Sequence, residues 1–447
     1  MPLTRMRLKN FKCYADSGDI PIAPLTVIFG RNNSGKSSIL QSLLLLRQTL
    51  DSPEFGPRLN LRGPLYHAGS YSDIVHQHRS KQNITMQFDV DIVLGLGTGI
   101  KRKAAIEIEF SSDEPQAPRL VSLHVDYPGS ESLELHRGRG AGGPYELAIG
   151  GKSLGREKKA NFSFPVNQFL PLIGPELPRV GRPSPSRERS RRAARWILRE
   201  FLSILIGMRA VGAFRQHPER RYEQGRVSEV IDAAGENVVN ALIEDYTRRR
   251  HRGELIRIVN RWLKEVGRVR LMPLRKISRT ARIYEIRLKD TDSGRWANFA
   301  DVGFGIGQAF PVFIEGLRTP PGGLFLVQEP EIHLHPDAQL AMADFLVSLA
   351  KTGRRVIAET HSENLLLRIR HAIVTSRRKR GGKSRFSHED VSIIHVDKRA
   401  DGTSHARRLD MDELGQIKNW PTDFMEEATQ ERMSLMQDMA SRAESVE

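Results

Sequence analysis

The sequence predicts an α/β fold with an antiparallel β lobe and a helical insert, and three observations predict it. An apolar run from Ile20 to Phe29 leads through a Gly/Asn/Ser loop into a helical pattern carrying Leu40, Leu43, Leu44 and Leu46. Short alternating stretches such as Ile84 to Val93 and Ala105 to Phe110, separated by Gly, Pro and Ser, continue to about Ile149 and read as antiparallel strands. Farther on, strand patterns at Leu324 to Val327, Val356 to Glu359 and Ser392 to Val396 alternate with helical ones.

Taken in order, the chain opens with Leu3, Met6 and Leu8 alternating with Arg5, Arg7 and Lys9, which predicts a strand and not a signal peptide. Residues 1–178 form the expected N-terminal lobe, with the loop and the β subdomain. The Arg-rich stretch 179–270 begins at the breakers Gly181, Pro183 and Pro185 and carries helical patterns at Ala193 to Ile206 and Val238 to Val266. It reads as a basic helical insert, too short and interrupted for coiled-coil arms. Residues 271–420 complete the α/β core, and 421–447 form a polar tail expected to end in a helix.

At 447 residues the chain can bury a substantial core in about two to three lobes. Hydrophobic residues at 39% and charged residues at 27% exclude wholesale disorder. No apolar stretch approaches the roughly 20 residues needed to cross a bilayer, so no membrane partner is expected. Cys13 is the single cysteine and cannot form an internal disulfide, which fits a reducing compartment and predicts a cytoplasmic protein. The net charge of +16 attracts polyanions whatever the fold, and is equally what an Arg-preferring composition produces.

The chemistry is concentrated in four motifs. Gly30-Arg31-Asn32-Asn33-Ser34-Gly35-Lys36-Ser37 satisfies G-x-x-x-x-G-K-[ST] between a strand and a helix. In such a loop backbone N–H groups curl around phosphates, Lys36 supplies a cation to the β- and γ-phosphates, and Ser37 offers its hydroxyl to Mg2+. ATP with Mg2+ is therefore the expected cofactor pair, and the loop's Gly30, Asn32, Asn33, Ser34, Gly35, Lys36, Ser37 and Ser38 are its expected contacts. The strand Leu324 to Val327 delivers Gln328 and Glu329 toward that loop; Glu329 is the expected catalytic carboxylate that polarises water. Asp301 to Gln308 places Gly303, Gly305 and Gly307 at the opening of an apolar helix, where backbone donors can hold an anion. The third strand ends in Glu359-Thr360-His361-Ser362, on the side where parallel sheets bind ligands, and His361 is the expected γ-phosphate sensor.

Together, Gly30 to Ser37, Val302 to Gln308, Leu324 to Pro336 and Thr360-His361-Ser362 resemble the ABC-type P-loop ATPase heads of the SMC, Rad50 and RecF group. Leu8-Lys9-Asn10-Phe11-Lys12, the loop through Ser38, Glu329-Pro330-Glu331-Ile332-His333-Leu334-His335-Pro336 and Trp420-Pro421 look more narrowly like AAA15/OLD-like ATPases with a DUF3696-type C-terminus. The resemblance implies an ATP-sandwiching dimer, with higher oligomers open. In it Gly305, Gly307 and Gln308 of one subunit approach the γ-phosphate at Lys36 of the other, and Lys12 joins the nucleotide-binding set. It places His333 to Pro336 at the D-loop and His361 at the switch histidine. It also implies work in anti-phage defence, beside a separate nuclease or toxin effector, or in DNA repair.

Two positions depart from the family pattern: no signature serine stands in Phe304 to Gln308, and Gln328 replaces the metal-orienting acid. A neutral amide brings no charge to the metal shell, so slow hydrolysis is expected, and a scaffold with structural ATP stays open beside the nucleotide-driven switch. Two basic runs, Arg182, Arg187, Arg189, Arg191, Arg192 and Arg195, and Arg377, Arg378, Lys379, Arg380, Lys383 and Arg385, are candidate contacts to double-stranded DNA or solvated loops. A nuclease acting through Glu329 and Glu331 is disfavoured, because the ATP site already accounts for both.

Overall fold

The structure, a computed structural model, describes residues 2–52, 57–94, 100–111, 118–138, 143–156, 162–163, 169–173, 185–225, 233–235, 238–247, 253–278, 281–376 and 386–421. Two sheets organise them. The first is antiparallel: Leu3–Phe11 pairs with Tyr14–Asp16 and with Ile84–Leu94, and the meander continues through Ile100–Ser111, Arg119–Asp126, Leu133–Arg137, Tyr145–Ile149 and Lys152–Arg156. Its strands alternate apolar and polar residues, as one-faced burial requires.

The second sheet carries the site. Its order is Arg209–Val211, Leu324–Gln328, Arg355–Glu359, Leu25–Phe29, Val391–Lys398 and Ser404–Leu409, parallel throughout except for the last strand. The central strands are almost continuously apolar because both faces are covered. On one face Ile28, Leu324, Leu326, Ile357 and Ile394 share a core with the Lys36–Leu50 helix and the antiparallel lobe. On the other, Leu25, Val27, Phe29, Phe325, Val327, Val356 and Ala358 share a core with the Phe304–Arg318, Pro336–Lys351 and Glu363–Thr375 helices. The alternation of successive side chains across the sheet produces this division.

Three sequence expectations change. The run Ile20 to Phe29 is two strands, Ile20–Pro21 in the antiparallel sheet and Leu25–Phe29 in the parallel one. Pro21 and Pro24 lack the N–H that an unbroken ladder needs. The pattern Val238 to Val266 is two helices, Val238–Thr247 and Glu254–Gly267, the second entered through Gly253 at φ 74°. The stretch 179–270 contributes to both cores: Ala194, Ile197 and Phe201 join the antiparallel lobe, while Val239, Leu242, Val259 and Leu263 join the other. Its Arg209–Val211 segment is an edge strand of the parallel sheet. The 421–447 tail, Arg182 and the basic run 377–385 lie outside the described residues, except for Pro421.

Candidate functional site

Three neighbouring parallel strands, Leu25–Phe29, Arg355–Glu359 and Leu324–Gln328, end side by side, and their carboxyl ends carry the predicted motifs. Gly30 leaves the first strand at φ 150°, and a Cβ there would lie 2.2 Å from the Val396 carbonyl oxygen, so no larger residue fits without moving backbone. Gly35, at φ 104°, caps the Lys36–Leu50 helix with no side-chain hydrogen bond and no acid in the first turn. The helix N-terminus therefore keeps its dipole and donors for an anion. Behind it, the Tyr14 hydroxyl donates to the Gly35 carbonyl at 3.0 Å and Cys13 packs against Gly35, bracing the loop from the first sheet.

Asn32 and Asn33 are exposed at the loop's tip, while Ser34, Lys36 and Ser38 are buried. Lys36 Nζ donates to the carbonyls of Gly30 at 3.0 Å and Arg31 at 2.8 Å, so the ammonium lies inside the curl of its own loop. Burial lowers its pKa from the ordinary value, opposed by Glu359 and Glu329. Ser34 Oγ is buried without a partner among the described residues. An orphaned hydroxyl, an uncapped helix start and a buried ammonium around a glycine curl fit a nucleotide's phosphates.

Glu329 follows Gln328 with φ 44°. Its N–H donates to the Glu359 carbonyl at 2.8 Å, and its carbonyl accepts from Arg215 Nη2 at 2.9 Å. His361 feels both Lys36 and Glu329. Desolvation first and Lys36 second pull its pKa below the usual imidazole value, so the ring is neutral at pH 7. Glu331 is buried beside this centre. Its Oε1 accepts from Thr360 Oγ1 at 2.5 Å, His361 N at 2.9 Å and Ser362 N at 3.1 Å, so the acid fixes the loop carrying His361.

The structure also brings in two side chains that the sequence reading passed over. Glu359, the last residue of its strand, accepts hydrogen bonds from Ser37 Oγ and from Gln328 Nε2, the latter at 2.8 Å. Burial raises its pKa from the ordinary carboxylate value, opposed by those two donors and by Lys36. Arg215 is buried and donates to the carbonyls of Gly212 at 2.9 Å, Gln308 at 2.9 Å, Gln328 at 2.6 Å and Glu329 at 2.9 Å. Its pKa is lowered by burial to about 10, so it stays charged. The register Gln328↔Glu359 would have exposed the first pairing, but a register is not written in either strand alone.

Around the glycine string the outcome is divided. Gly303 and Phe304 are exposed at the start of the Phe304–Arg318 helix, and the Phe304 ring meets His217 at 4.9 Å and His333 at 4.6 Å. A Cβ on Gly305 would lie 2.5 Å from the His333 carbonyl oxygen, and one on Gly307 2.6 Å from Pro218 Cγ. These two glycines thus permit close packing within the chain. Gln308 is turned inward: it is 2% exposed, with its carbonyl on Arg215, so the side chain expected to reach another subunit is not at the surface. Lys12 Nζ is held by Gln41 Oε1 at 2.6 Å and the Tyr66 hydroxyl at 2.7 Å, on the flank of the loop helix. In the first basic run Arg191 is buried against Glu188, whereas Arg189, Arg192 and Arg195 are exposed. Trp420 stacks on Phe29 with ring centroids 6.0 Å apart.

A family model described as "AAA domain, putative AbiEii toxin, Type IV TA system" matches residues 25–368, which include all four motifs. No curated protein matches the chain. Among solved structures, it is similar to an SMC head bound to the C-winged helix domain of ScpA, at 14% identity over 92% of this chain and 98% of that one, TM-score 0.44. It is similar to the SMC head domain from Thermotoga maritima, at 12% identity over 92% and 100%, TM-score 0.39. A third is the Smc head domain with an extended coiled coil bound to the C-terminal domain of ScpA derived from Pyrococcus furiosus, at 14% identity over 98% and 100%, TM-score 0.41. Overlaps of this extent leave the site geometry to rest on this chain's own residues. No helix among the described residues is long and apolar enough to cross a membrane.

Proposed function

The chain belongs to the family of AAA domains that matches residues 25–368, and on that premise we propose that it is an ABC-type ATPase that binds and hydrolyses ATP with Mg2+. It closes a dimer around the nucleotide, and the closure switches a separate effector subunit, a nuclease or toxin, in anti-phage defence. The narrower likeness to AAA15/OLD-like ATPases belongs to the same proposal. The observation that carries it is the meeting of the Gly30–Ser37 loop, Glu329 and His361 at the ends of three adjacent parallel strands, with Lys36 electrostatically coupled to Glu329 and His361.

Each side chain then has a role. Lys36 and the loop's backbone donors hold the β- and γ-phosphates, and Ser37 offers an oxygen to Mg2+, which when bound offsets charge on those phosphates. Glu329 orients and polarises water; neutral His361 is available to hydrogen-bond the reacting phosphate. The exposed cluster of Phe304, His217 and His333 supports association, because an uncovered aromatic patch beside a helix N-terminus offers both apolar area and anion donors. ATP touching both subunits binds the closed state preferentially and so shifts the population toward it.

Light scattering at micromolar protein tests the dimer. Mg·ATP is expected to double the mass, and Phe304→Ser to suppress the doubling while ATP still binds. A chain that binds Mg·ATP and stays monomeric contradicts the sandwich.

A further inference from the structure

The phosphate-loop serine needs a carboxylate beside it, and the strand expected to supply one ends in a neutral residue, Gln328. A serine that ligates Mg2+ must turn a lone pair to the cation, which fixes its proton on the opposite side. An acceptor there sets the hydroxyl's direction, and a negative acceptor also strengthens the site electrostatically. In this chain that acceptor is Glu359, one strand over: Ser37 Oγ donates to Glu359 Oε1, and Gln328 Nε2 donates to Glu359 Oε2 at 2.8 Å.

The parallel register is what sets the two side chains beside each other. Gln328 and Glu359 are direct partners across adjacent strands. Two carboxylates at this separation could not both stay ionised, since like charges that share a site force one to bind a proton. An amide at 328 removes the conflict and adds a donor that holds the carboxylate in place. The Glu359 main chain serves the same edge, its carbonyl accepting the Glu329 N–H at 2.8 Å.

We propose that the metal-orienting charge of this site has moved from the Leu324–Gln328 strand to the next one, so that Glu359 positions Ser37 for Mg2+ and Gln328 positions Glu359. Gln328 is then no sign of a weakened site. The inference rests on the reading of Lys36 and Ser37 as the Mg·ATP site, and the experiment separates the two. Glu359 is a positioning residue here, acting on the cation through the serine.

The test is the affinity for the non-hydrolysable analogue AMPPNP, by calorimetry, in EDTA and in Mg2+. Four proteins are compared: the unmodified chain, Glu359→Gln, the exchange Gln328→Glu/Glu359→Gln, and Lys36→Ala. Losing an outer partner of a metal ligand lowers metal affinity by about 10–100-fold. Glu359→Gln is therefore expected to bind AMPPNP normally in EDTA and to lose most of the Mg2+-dependent gain. The exchange, which restores one carboxylate and one amide to the pair, is expected to recover at least part of it. Lys36→Ala is expected to weaken AMPPNP in both conditions. A Mg2+-dependent gain in Glu359→Gln within threefold of the unmodified chain overturns this inference alone; failure of the unmodified chain to bind AMPPNP overturns the ATP-site reading with it. Should Glu359→Gln not fold, the exchange decides: a Mg2+-dependent gain supports the inference, and normal binding in EDTA without that gain overturns it.

Discussion

Arg215→Met removes a guanidinium while keeping most of the volume of its stem, and it should damage both stability and turnover. Arg215 gives four hydrogen bonds to carbonyls of Gly212, Gln308, Gln328 and Glu329, joining the glycine-bearing helix to the end of the Leu324–Gln328 strand. At about 1.5–3 kcal/mol for a hydrogen bond to a charged group the four overstate the loss. The Glu329 carbonyl, for one, also accepts from Ile332 N at 3.1 Å. Each buried carbonyl left without a donor costs about 1–3 kcal/mol, so with two of the four stranded the expected loss in urea unfolding is about 2–6 kcal/mol. Against a total of about 5–15 kcal/mol the variant still folds. Phosphate release should then fall by more than AMPPNP affinity does, because the guanidinium holds the Glu329 peptide and not the phosphate loop. Arg215→Lys, with a point charge and no planar fork, should recover only part of the stability. An Arg215→Met protein that unfolds within about 0.5 kcal/mol of the unmodified chain, the range of a neutral surface change, and turns over ATP equally fast would refute this reasoning.

Three further outcomes are expected. Gly305→Ala pushes a Cβ to 2.5 Å from the His333 carbonyl oxygen, so the helix start and the 333–336 turn must separate; ATP-dependent association should weaken, by light scattering, with ATP binding by each subunit retained. Because the His361 pKa is lowered from 6.5, the ring is neutral at pH 7 and gains its proton only below that value; kcat should be flat from pH 7 to 8 and fall in acid, and His361→Asn should remove that acid limb. If the exposed Arg189, Arg192 and Arg195 track phosphates, their replacement by Ala should lower the salt dependence of duplex DNA binding, by about 0.9 log unit per log unit of salt for each phosphate no longer neutralised, whereas an unchanged slope would return these residues to the solvated surface.

What could be read from the sequence was what is contiguous along it. The loop Gly30 to Ser37, the strand before it and the helix after it form one local unit whose spacing states its chemistry, and the structure places them in that order. Apolar runs of the right length announced the parallel strands for the same reason. The alternating pattern of 84–149 likewise announced the antiparallel lobe. Residues whose meaning depends on a neighbour distant in sequence were not legible. Glu359 stands in plain view beside Thr360 and His361, yet its bond to Ser37 spans 322 residues and follows from strand register. Arg215 sits in an Arg-rich stretch where residue type does not separate a buried hub from a solvated charge, and Arg191, counted among the candidate DNA contacts, is buried as well. The resemblance puts Gln308 at another subunit's γ-phosphate, but the helical turn carries it to the inner face beside Arg215.

The central claim is that Glu329, delivered to the phosphate loop by its strand, drives ATP hydrolysis. Phosphate release from Mg·ATP by Glu329→Gln, measured beside the unmodified chain, tests it most directly. The amide keeps the shape of the side chain and removes the group that accepts a proton, so turnover should fall by about 10²–10⁴-fold while ATP remains bound. Equal turnover by the two proteins would take Glu329 out of the mechanism and contradict the account.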